Sequence, residues 1–498
     1  MAALDYDYIL VGAGLTGCVV ASRLKQSNPS LSILLLEAGP DASNDPSIKT
    51  LPPLFSLLGS DLDWAYTTTS QPNTANRMHT VHAGKALGGG TTINFGGWSR
   101  GDSIDYDHWA GTVNDRRWGY EGLLPYFRRS ESFYGCGADG REHGFDGPIE
   151  EEFNPAPGTG KLSGVVEFLE TWRGGERQAV YQAYSLEGVQ IITGAMVHKI
   201  EFTGAEKTAS GILLVDGRRF TARKEHGIPL IAEFPEVGKN LINHFALYQL
   251  YKLRDSDRGL ALGSPKLTHP ALTKGFPVDW AANQQVPHEI LEAAVRKDRE
   301  RFGSNTDESV LIPGRPLVET LISYAPIGMP ADGSLIMTST MLLAATSRGT
   351  ISISSSSATE PPVINPNYYN TETDHVVLIH GARRTARALL DTSAMKDYIE
   401  CEVPPPGMVA LTAQSPDADF DARIRATGIA HHHPAGTVAM GKVIDSELRV
   451  IRMKNLRVVD ASVLPVSFGG HPQATLYAVT ELAAEIILQD GVETGGDL

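Results

Sequence analysis

Residues 8–17 read YILVGAGLTG, an apolar run followed by glycines at the spacing G-x-G-x-x-G. An apolar run of this length is typical of a buried parallel strand. Gly12, Gly14 and Gly17 permit a tight turn, a close approach of backbone to a pyrophosphate, and close packing of the next helix, predicted over residues 18–24. The start of that helix offers N–H donors to phosphates. This stretch therefore predicts a dinucleotide-binding unit.

A second apolar strand, residues 32–36, ends in Glu37, which lies 20 residues beyond Gly17. A carboxylate at this position can accept both hydroxyls of an adenosine ribose and would repel a 2′-phosphate. Strand, glycines, helix, strand and acid in this order are far more specific than the glycines alone. The acid does not distinguish NAD from FAD.

Length, composition and charge are those of an ordinary globular protein. The 498 residues predict two to four domains, with 42% hydrophobic and 20% charged residues. A net charge of -15 argues against nucleic acid or an anionic membrane surface as a partner. No stretch has the apolar length of a membrane span.

The three cysteines, Cys18, Cys136 and Cys401, are far apart in the chain. Such a sparse, odd set is typical of a reducing compartment. No basic, apolar signal segment precedes the first strand. We therefore expect a cytoplasmic protein.

A second glycine-rich segment, residues 84–97, reads GKALGGGTTINFGG. It contains too many glycines for the interior of a helix or strand. We expect a loop whose backbone approaches a flat or phosphorylated ligand.

Two histidine-proline units lie near the C-terminus, in residues 431–437 (HHHPAGT) and 471–475 (HPQAT). Residues 473–487 predict a helix with Pro472 in its first turn. We expect His431 and His432 to be loop or packing residues. No metal site is expected, because no carboxylate or cysteine follows the histidines at ligand spacing.

Four blocks of residues resemble the glucose–methanol–choline oxidoreductases, a family of FAD-dependent alcohol oxidases and dehydrogenases. They span the chain in the family's order and are residues 12–17 with 37–39, 87–94, 433–441 and 456–472. The resemblance implies an α/β fold with a discontinuous Rossmann-like FAD-binding domain, residues 1–150, 189–245 and 431–498. Residues 151–188 and 246–430 would form a substrate domain of sheet and helices.

The resemblance also implies a role for each matching residue. Asn94 and its loop would lie beside the flavin ring, Val197 at the adenine, and Asp460 with Ala461 over the ribityl–pyrophosphate. Some relatives bond the flavin covalently through a histidine next to this asparagine, whereas Ile93 stands here, so we expect non-covalent FAD. The full expected set of cofactor-binding residues is Gly12, Gly14, Gly17, Glu37, Gly89, Thr91, Asn94, Val197, Asp460, Ala461, Pro472 and Gln473.

Alcohol oxidation removes a hydroxyl proton and a hydride, and FAD would accept the hydride. A neutral imidazole can take the proton near physiological pH. A second imidazole can hydrogen-bond the oxygen and stabilise the developing alkoxide. The resemblance implies these roles for His433 and His471, while the sequence leaves open which is the base. The expected substrate is a small, largely apolar alcohol, and the electron acceptor is O2 or a quinone-like compound.

Three alternatives stay open at this point. The chain could be a lyase that retains FAD structurally, a catalytically impaired family member, or, with weaker support, a nicotinamide-dependent dehydrogenase. The second follows from a departure between residues 219–223 and 224–229, where the family's apolar strand and following helix are missing. The region from about 150 to 188 is also short. In relatives the missing strand belongs to the nucleotide-binding sheet. Its loss would expose apolar side chains and unpaired backbone groups, each at a cost of a few kcal/mol.

Overall fold

A computed structural model describes residues 5–49, 54–134, 140–152, 164–203, 207–222, 234–267, 275–326, 329 and 331–493. Helices and parallel strands alternate at the N-terminus, and an antiparallel sheet covered by helices occupies the middle of the chain. The predicted α/β class is therefore confirmed.

The helices of the described residues range from single turns to six turns. They are α1 Leu15–Ser27, α2 Pro46–Lys49, α3 Leu54–Leu57, α4 Gly90–Ile93, α5 Ser103–Val113, α6 Tyr120–Ser130, α7 Val180–Ala183, α8 His288–Phe302, α9 Glu372–Ala386, α10 Asp417–Thr427 and α11 Pro472–Glu493.

The strands of the described residues are mostly short. They are β1 Asp5–Tyr6, β2 Tyr8–Val11, β3 Ile33–Leu36, β4 Tyr66–Thr67, β5 Thr80–Val81, β6 Gly97–Trp98, β7 Glu131–Tyr134, β8 Ile149–Glu152, β9 Gly164–Glu167, β10 Leu169–Glu170, β11 Trp172–Arg173, β12 Glu176–Arg177, β13 Gln190–Ile192, β14 Val197–Thr203, β15 Thr208–Leu214, β16 Arg219–Ala222, β17 Phe245–Leu253, β18 Val278–Gln284, β19 Val318–Ser323, β20 Leu335–Leu342, β21 Thr350–Ser352, β22 Val363–Asn365, β23 Ile399–Val403 and β24 Ile429–Ala430.

The dinucleotide-binding unit has the predicted order of strand, glycine turn, helix and strand. β2, β3 and β13 run parallel in the sheet order β13-β3-β2. All four residues of β3 are buried, as expected for a central parallel strand. A Cβ on Gly17 would come within 2.0 Å of the Gly12 carbonyl oxygen, so only glycine lets α1 pack this close to β2.

β2 is the last strand of this sheet among the described residues. Its final residue, Val11, is 55% exposed. Four further strands form a separate sheet in the order β1-β16-β15-β14, with β1 parallel to β16. The predicted loss of a strand concerns residues 223 and 224, which lie outside the described residues.

The middle of the chain forms a large antiparallel sheet in the order β23-β17-β20-β19-β18-β9, with β24 paired to β17. α9 packs on β19 and β20, and α8 packs on α9. Every residue of β20 except Leu335 is buried, and α9 packs against this strand. This sheet forms the wall opposite the dinucleotide unit.

The C-terminal helix packs against helices from the N-terminal part of the chain. α11 begins at Pro472, which confirms the predicted start, and it packs against both α1 and α6. The turn before α11 therefore lies between the dinucleotide unit and the large sheet. The division into two domains at the boundaries given above stays a prediction.

The prediction of a loop over residues 84–97 was only partly right. The segment 84–97 is not loop throughout, since it contains α4 and the start of β6. Gly88 and Gly89 form the turn before α4, with φ of +96° and +52°, and α4 itself contains only Gly90.

No helix in the described part of the chain is long and apolar enough to cross a membrane.

Candidate active site

One cavity of about 1770 Å³ runs from the glycine turn at α1 to the two histidine-proline units. Every residue of the site expected from the sequence lies on its wall. They are Gly12, Gly14, Gly17, Glu37, Gly89, Thr91, Asn94, Val197, His433, Asp460, Ala461, His471, Pro472 and Gln473. The fold thus brings together residues up to 461 positions apart in the sequence.

The glycine turn has the shape that a pyrophosphate requires. Gly12 has φ of +96°, and no atom lies within 4 Å of the place where its Cβ would stand. A Cβ on Gly89 would come within 2.7 Å of the Gly14 Cα, so the two glycine segments touch through backbone alone. The backbone is therefore bare toward the cavity, which fits a dinucleotide cofactor.

Glu37 lies at the predicted position beyond β3 and is held by backbone donors. Its carboxylate accepts hydrogen bonds from the Ala13 N–H at 3.0 Å and the Gly39 N–H at 2.8 Å. Burial raises the pKa of Glu37, and these backbone N–H groups partly oppose that shift. Each carboxylate oxygen can accept a further hydrogen bond, which leaves capacity for ribose hydroxyls.

Asp460 and Thr91 have their side chains engaged with the protein itself. Asp460 accepts hydrogen bonds from the N–H of Ser462 at 2.8 Å and from its hydroxyl at 2.5 Å. The Thr91 hydroxyl donates to the Gly88 carbonyl at 2.7 Å and accepts from the Val180 N–H at 3.1 Å. Both side chains therefore shape the backbone that faces the cavity.

Asn94 belongs to a hydrogen-bond network that the sequence did not reveal. Its Nδ2 donates to the Gln473 side chain, and its Oδ1 accepts from Arg177 Nη1 at 3.0 Å. Gln473 in turn donates to the Thr171 hydroxyl at 3.2 Å. The network fixes the direction of the Asn94 amide and ties the glycine-rich segment to the start of α11.

Arg177 is a buried cation in this network, with 2% of its surface exposed. Burial lowers the pKa of Arg177 to about 9, and its Nη2 has no hydrogen-bond partner in the described part of the chain. It also donates to the Ile48 carbonyl at 3.0 Å and lies over the Trp172 ring. The sequence does not predict this role, because an arginine at the end of a short strand is typical of the protein surface.

The rings of His433 and His471 lie 5.0 Å apart between centroids and nearly perpendicular. His431 joins them, at 5.1 Å from His433 and 5.8 Å from His471. One ring nitrogen from each of the three lies within 4.8 Å of the others, a set that could hold a divalent metal. The expectation of no metal stays a prediction. His431, expected to be a loop or packing residue, lies outside any helix or strand and is also on the cavity wall.

His433 is neutral, and two residues outside the cavity hold it in place. Its Nδ1 lies 2.9 Å from Nδ1 of His244, and its backbone N–H donates to Asn243 Oδ1 at 2.8 Å. Burial lowers the pKa of His433 well below its ordinary value, and the neighbouring rings of His244 and His471 add to the shift. A neutral imidazole on the cavity wall can accept a proton.

His471 has a carboxylate behind it instead. Its Nε2 donates to Glu319 Oε1 at 2.9 Å, and Glu319 is 1% exposed in β19. The His471 backbone N–H donates to the Ser99 hydroxyl at 2.8 Å. With Nε2 used in this way, Nδ1 is the nitrogen left for the cavity.

A buried ion pair supports the turn that leads to His471. Asp105 Oδ1 accepts from Arg315 Nε at 2.7 Å, and Asp105 Oδ2 accepts from the Gly469 N–H at 2.7 Å. Arg315 also donates to the Ser467 carbonyl at 2.7 Å. The turn is thus held by charge-assisted hydrogen bonds on both sides.

Aromatic side chains form the cavity wall next to the histidines. Phe168 meets the His471 ring edge-on at 5.4 Å, and Phe95 stacks on Phe276 at 5.1 Å. On another side the ring of His432 lies 4.6 Å from that of His82. The three phenylalanine rings therefore give the cavity an apolar wall beside His471.

A cavity that runs from a G-x-G-x-x-G turn to two imidazoles is typical of an oxidoreductase that depends on a dinucleotide cofactor. Family models described as GMC oxidoreductase match residues 6–162 and 345–480. The chain is 36% identical to GMC-type oxidoreductase acuG of Aspergillus aculeatus, over 97% of this chain and 99% of that protein. The chain therefore belongs to the glucose–methanol–choline (GMC) oxidoreductase family, whose members bind FAD.

Two further comparisons agree with membership of this family. The chain is 28% identical to pyridoxine 4-oxidase of Microbacterium luteolum, over 96% of this chain and 98% of that protein. The fold matches a solved FAD-dependent oxidoreductase from Chaetomium thermophilum with a TM-score of 0.83 and 22% identity, over 98% of this chain and 100% of that chain. The alignment with acuG extends over 526 positions, 28 more than the 498 residues here, so at least 28 residues of that relative have no counterpart.

Proposed function

We propose that this enzyme oxidises the CH–OH group of a small, largely apolar alcohol with a non-covalently bound FAD. The observation that carries the proposal is the different group behind each imidazole: a neutral imidazole behind His433 and a carboxylate behind His471. One ring is thereby suited to accept a proton and the other to donate a hydrogen bond. FAD, when bound, would supply the acceptor for the hydride.

His433 is assigned the proton-accepting role. Its Nδ1 faces His244, so Nε2 is the nitrogen available to an alcohol in the cavity. The lowered pKa of His433 keeps this nitrogen unprotonated at neutral pH. General-base catalysis of this kind contributes roughly 10²- to 10⁴-fold to a rate.

His471 is assigned the stabilisation of the alcohol oxygen. Since Nε2–H donates to Glu319, a hydrogen bond from Nδ1 to the substrate requires a doubly protonated ring. The buried carboxylate of Glu319 stabilises that cation. A positive ring beside the oxygen then stabilises the negative charge that develops as the proton leaves.

Non-covalent binding is supported by the residue before Asn94. Ile93 is 4% exposed and packs in an apolar cluster with Ile48 and Trp172, so it offers no atom that could bond a flavin. Precipitation with acid should release all the flavin into the supernatant. Flavin that stays with the denatured protein would contradict this part of the proposal.

The substrate class is supported by the aromatic wall beside His471, formed by Phe95, Phe168 and Phe276. These rings bury apolar surface of a ligand and offer no hydrogen bonds to additional hydroxyls. The electron acceptor is O2 or a quinone-like compound, and an oxygen electrode run with and without a quinone separates the two.

His433→Ala tests the proposed reaction directly. We expect the variant to retain FAD and to lose at least about 100-fold in turnover of an alcohol that the wild-type enzyme oxidises. Unchanged turnover would remove His433 from the mechanism. Conversion of a substrate without any reduction of the flavin would favour the lyase alternative instead.

A second candidate, a family member impaired in cofactor binding, is favoured by one observation. β2 is the last strand of its sheet in the described residues, and Val11 beside the glycine turn is 55% exposed. Its backbone would normally be covered in a parallel sheet. A folded protein that does not take up added FAD would establish this candidate and exclude the first.

A further inference from the structure

His244 lies directly behind the ring of His433, on the side away from the cavity. It precedes β17, is 4% exposed, and does not belong to the cavity wall. The two ring centroids are 5.0 Å apart and the ring planes are almost perpendicular. Neither the glycine motifs nor the histidine-proline units of the sequence point to it.

The hydrogen bonds of His244 have a fixed direction. Its Nε2 lies 3.0 Å from the carbonyl oxygen of Phe468, and a carbonyl can only accept, so Nε2–H donates. Burial lowers the pKa of His244 to about 4, so the ring is neutral and its Nδ1 carries a lone pair. That Nδ1 therefore accepts from the Nδ1–H of His433 at 2.9 Å.

The consequence falls on His433. A neutral imidazole carries one proton, and the hydrogen bond to His244 holds it on Nδ1. The lone pair then lies on Nε2, the nitrogen available to the cavity. In the opposite tautomer Nε2 carries a hydrogen and cannot accept a proton from a substrate.

We propose that His244 is a positioning residue that holds His433 in the tautomer able to accept the alcohol proton. The kinetic part rests on the proposed function, whereas the hydrogen bond between the two imidazoles does not. The Phe468 carbonyl is the origin of the direction, because it obliges His244 to accept at Nδ1. His244 itself touches neither the substrate space nor the cofactor space.

Three variants separate this role from simple packing. His244→Leu removes the acceptor, and His244→Asn retains an oxygen at the position of Nδ1. His79→Leu is the matched control. His79 is another buried histidine with a pKa lowered to about 4, and it packs against Phe245, the residue after His244, without contacting His433.

The first readout is ¹⁵N NMR of the full-length enzyme labelled at histidine, with the His433 signals assigned from His433→Ala. We expect the Nδ1–H tautomer of His433 in the wild type, in His244→Asn and in His79→Leu, and a shift to Nε2–H in His244→Leu. A wild-type His433 in the Nε2–H form, or an unchanged tautomer in His244→Leu, would overturn the proposal. If His244→Leu does not fold, the wild type and His244→Asn still decide it.

The second readout is the rate of anaerobic flavin reduction by an alcohol. We expect kcat to fall by at least about 100-fold in His244→Leu, to fall less than about tenfold in His244→Asn, and to stay unchanged in His79→Leu, with little change in KM. Equal losses in the leucine and asparagine variants would overturn the kinetic part. A wild-type enzyme that oxidises no alcohol would refute the proposed function, while the NMR result would still decide the role of His244.

Discussion

Glu319→Gln tests the ion pair behind His471 without changing the shape of the side chain. Glu319 accepts from His471 Nε2 at 2.9 Å and is 1% exposed, so water does not screen the pair. The glutamine oxygen can accept the same hydrogen bond. The substitution therefore removes the negative charge and little else.

The expected effect follows from the distance. Charges about 4 Å apart interact by about 4 kcal/mol at an effective dielectric constant near 20. A neutral hydrogen bond to glutamine retains about 1 to 1.5 kcal/mol of this. The loss of roughly 2 to 3 kcal/mol applies when His471 is positive, as the proposed mechanism requires, and corresponds to roughly 30- to 150-fold in kcat/KM.

The assay is anaerobic flavin reduction followed by stopped-flow absorption, with FAD content measured beforehand. Glu402→Gln is the control, because Glu402 is 2% exposed in the same large sheet and pairs with Arg423 away from the cavity. We expect Glu402→Gln to lower stability without changing the rate. A Glu319→Gln enzyme that reduces its flavin within about twofold of the wild-type rate would refute the positive His471.

Other predictions concern the cofactor turn and the buried histidines. Gly17→Ala should abolish FAD binding, because its Cβ would lie 2.0 Å from the Gly12 oxygen. Gly111→Ala is the control and should leave FAD content unchanged, because the space around Gly111 is open. Equal FAD content in the two variants would show that close packing at Gly17 is not required for FAD binding. Because the pKa of folded His244 is lowered to about 4, the unfolded state binds more protons than the folded state between about pH 6.5 and 4. The contribution of neutral His244 to the free energy of unfolding is therefore present above pH 6.5 and is lost as the pH falls toward 4. In urea unfolding, the free energy of the wild type should therefore fall by roughly 2 kcal/mol more than that of His244→Leu between about pH 7.5 and 5, and an equal fall in the two proteins would show that the pKa of His244 is not lowered in the folded state. Arg177→Met should weaken FAD binding, measured by equilibrium dialysis, because Asn94 loses the donor that orients its amide, and unchanged affinity would show that the network does not matter for the cofactor.

Local signals predicted the dinucleotide unit because each of its parts is encoded within a few residues. The apolar run of β2, the glycines and the acid at Glu37 follow one another in the chain, and the geometry of a glycine turn depends on little else. The start of α11 at Pro472 was predictable for the same reason. α4 was not predictable, because its four residues lie in a segment whose high glycine content favours a loop.

The groups behind the two imidazoles could not be predicted from the sequence. Glu319 lies on a strand and approaches His471 from 152 positions away, and His244 approaches His433 from 189 positions away. Both contacts depend on how the large sheet lies against the C-terminal turns. The sequence around an acid or a histidine in a predicted strand does not indicate which imidazole its side chain contacts.

The predicted departure from the family near residues 223 and 224 bears on cofactor binding. The described chain ends at Ala222 and resumes at Phe234, and at least 28 residues of acuG have no counterpart in this sequence. The glycine turn nevertheless has the shape that a pyrophosphate needs. The flavin content of the purified chain therefore tests whether the predicted loss of a strand affects cofactor binding.

The most direct measurement is the visible absorption spectrum of the purified full-length chain, recorded anaerobically before and after addition of apolar alcohols. We expect a flavin spectrum at close to one FAD per chain that bleaches with at least one alcohol. A folded, colourless protein that takes up no added FAD would contradict the proposed function.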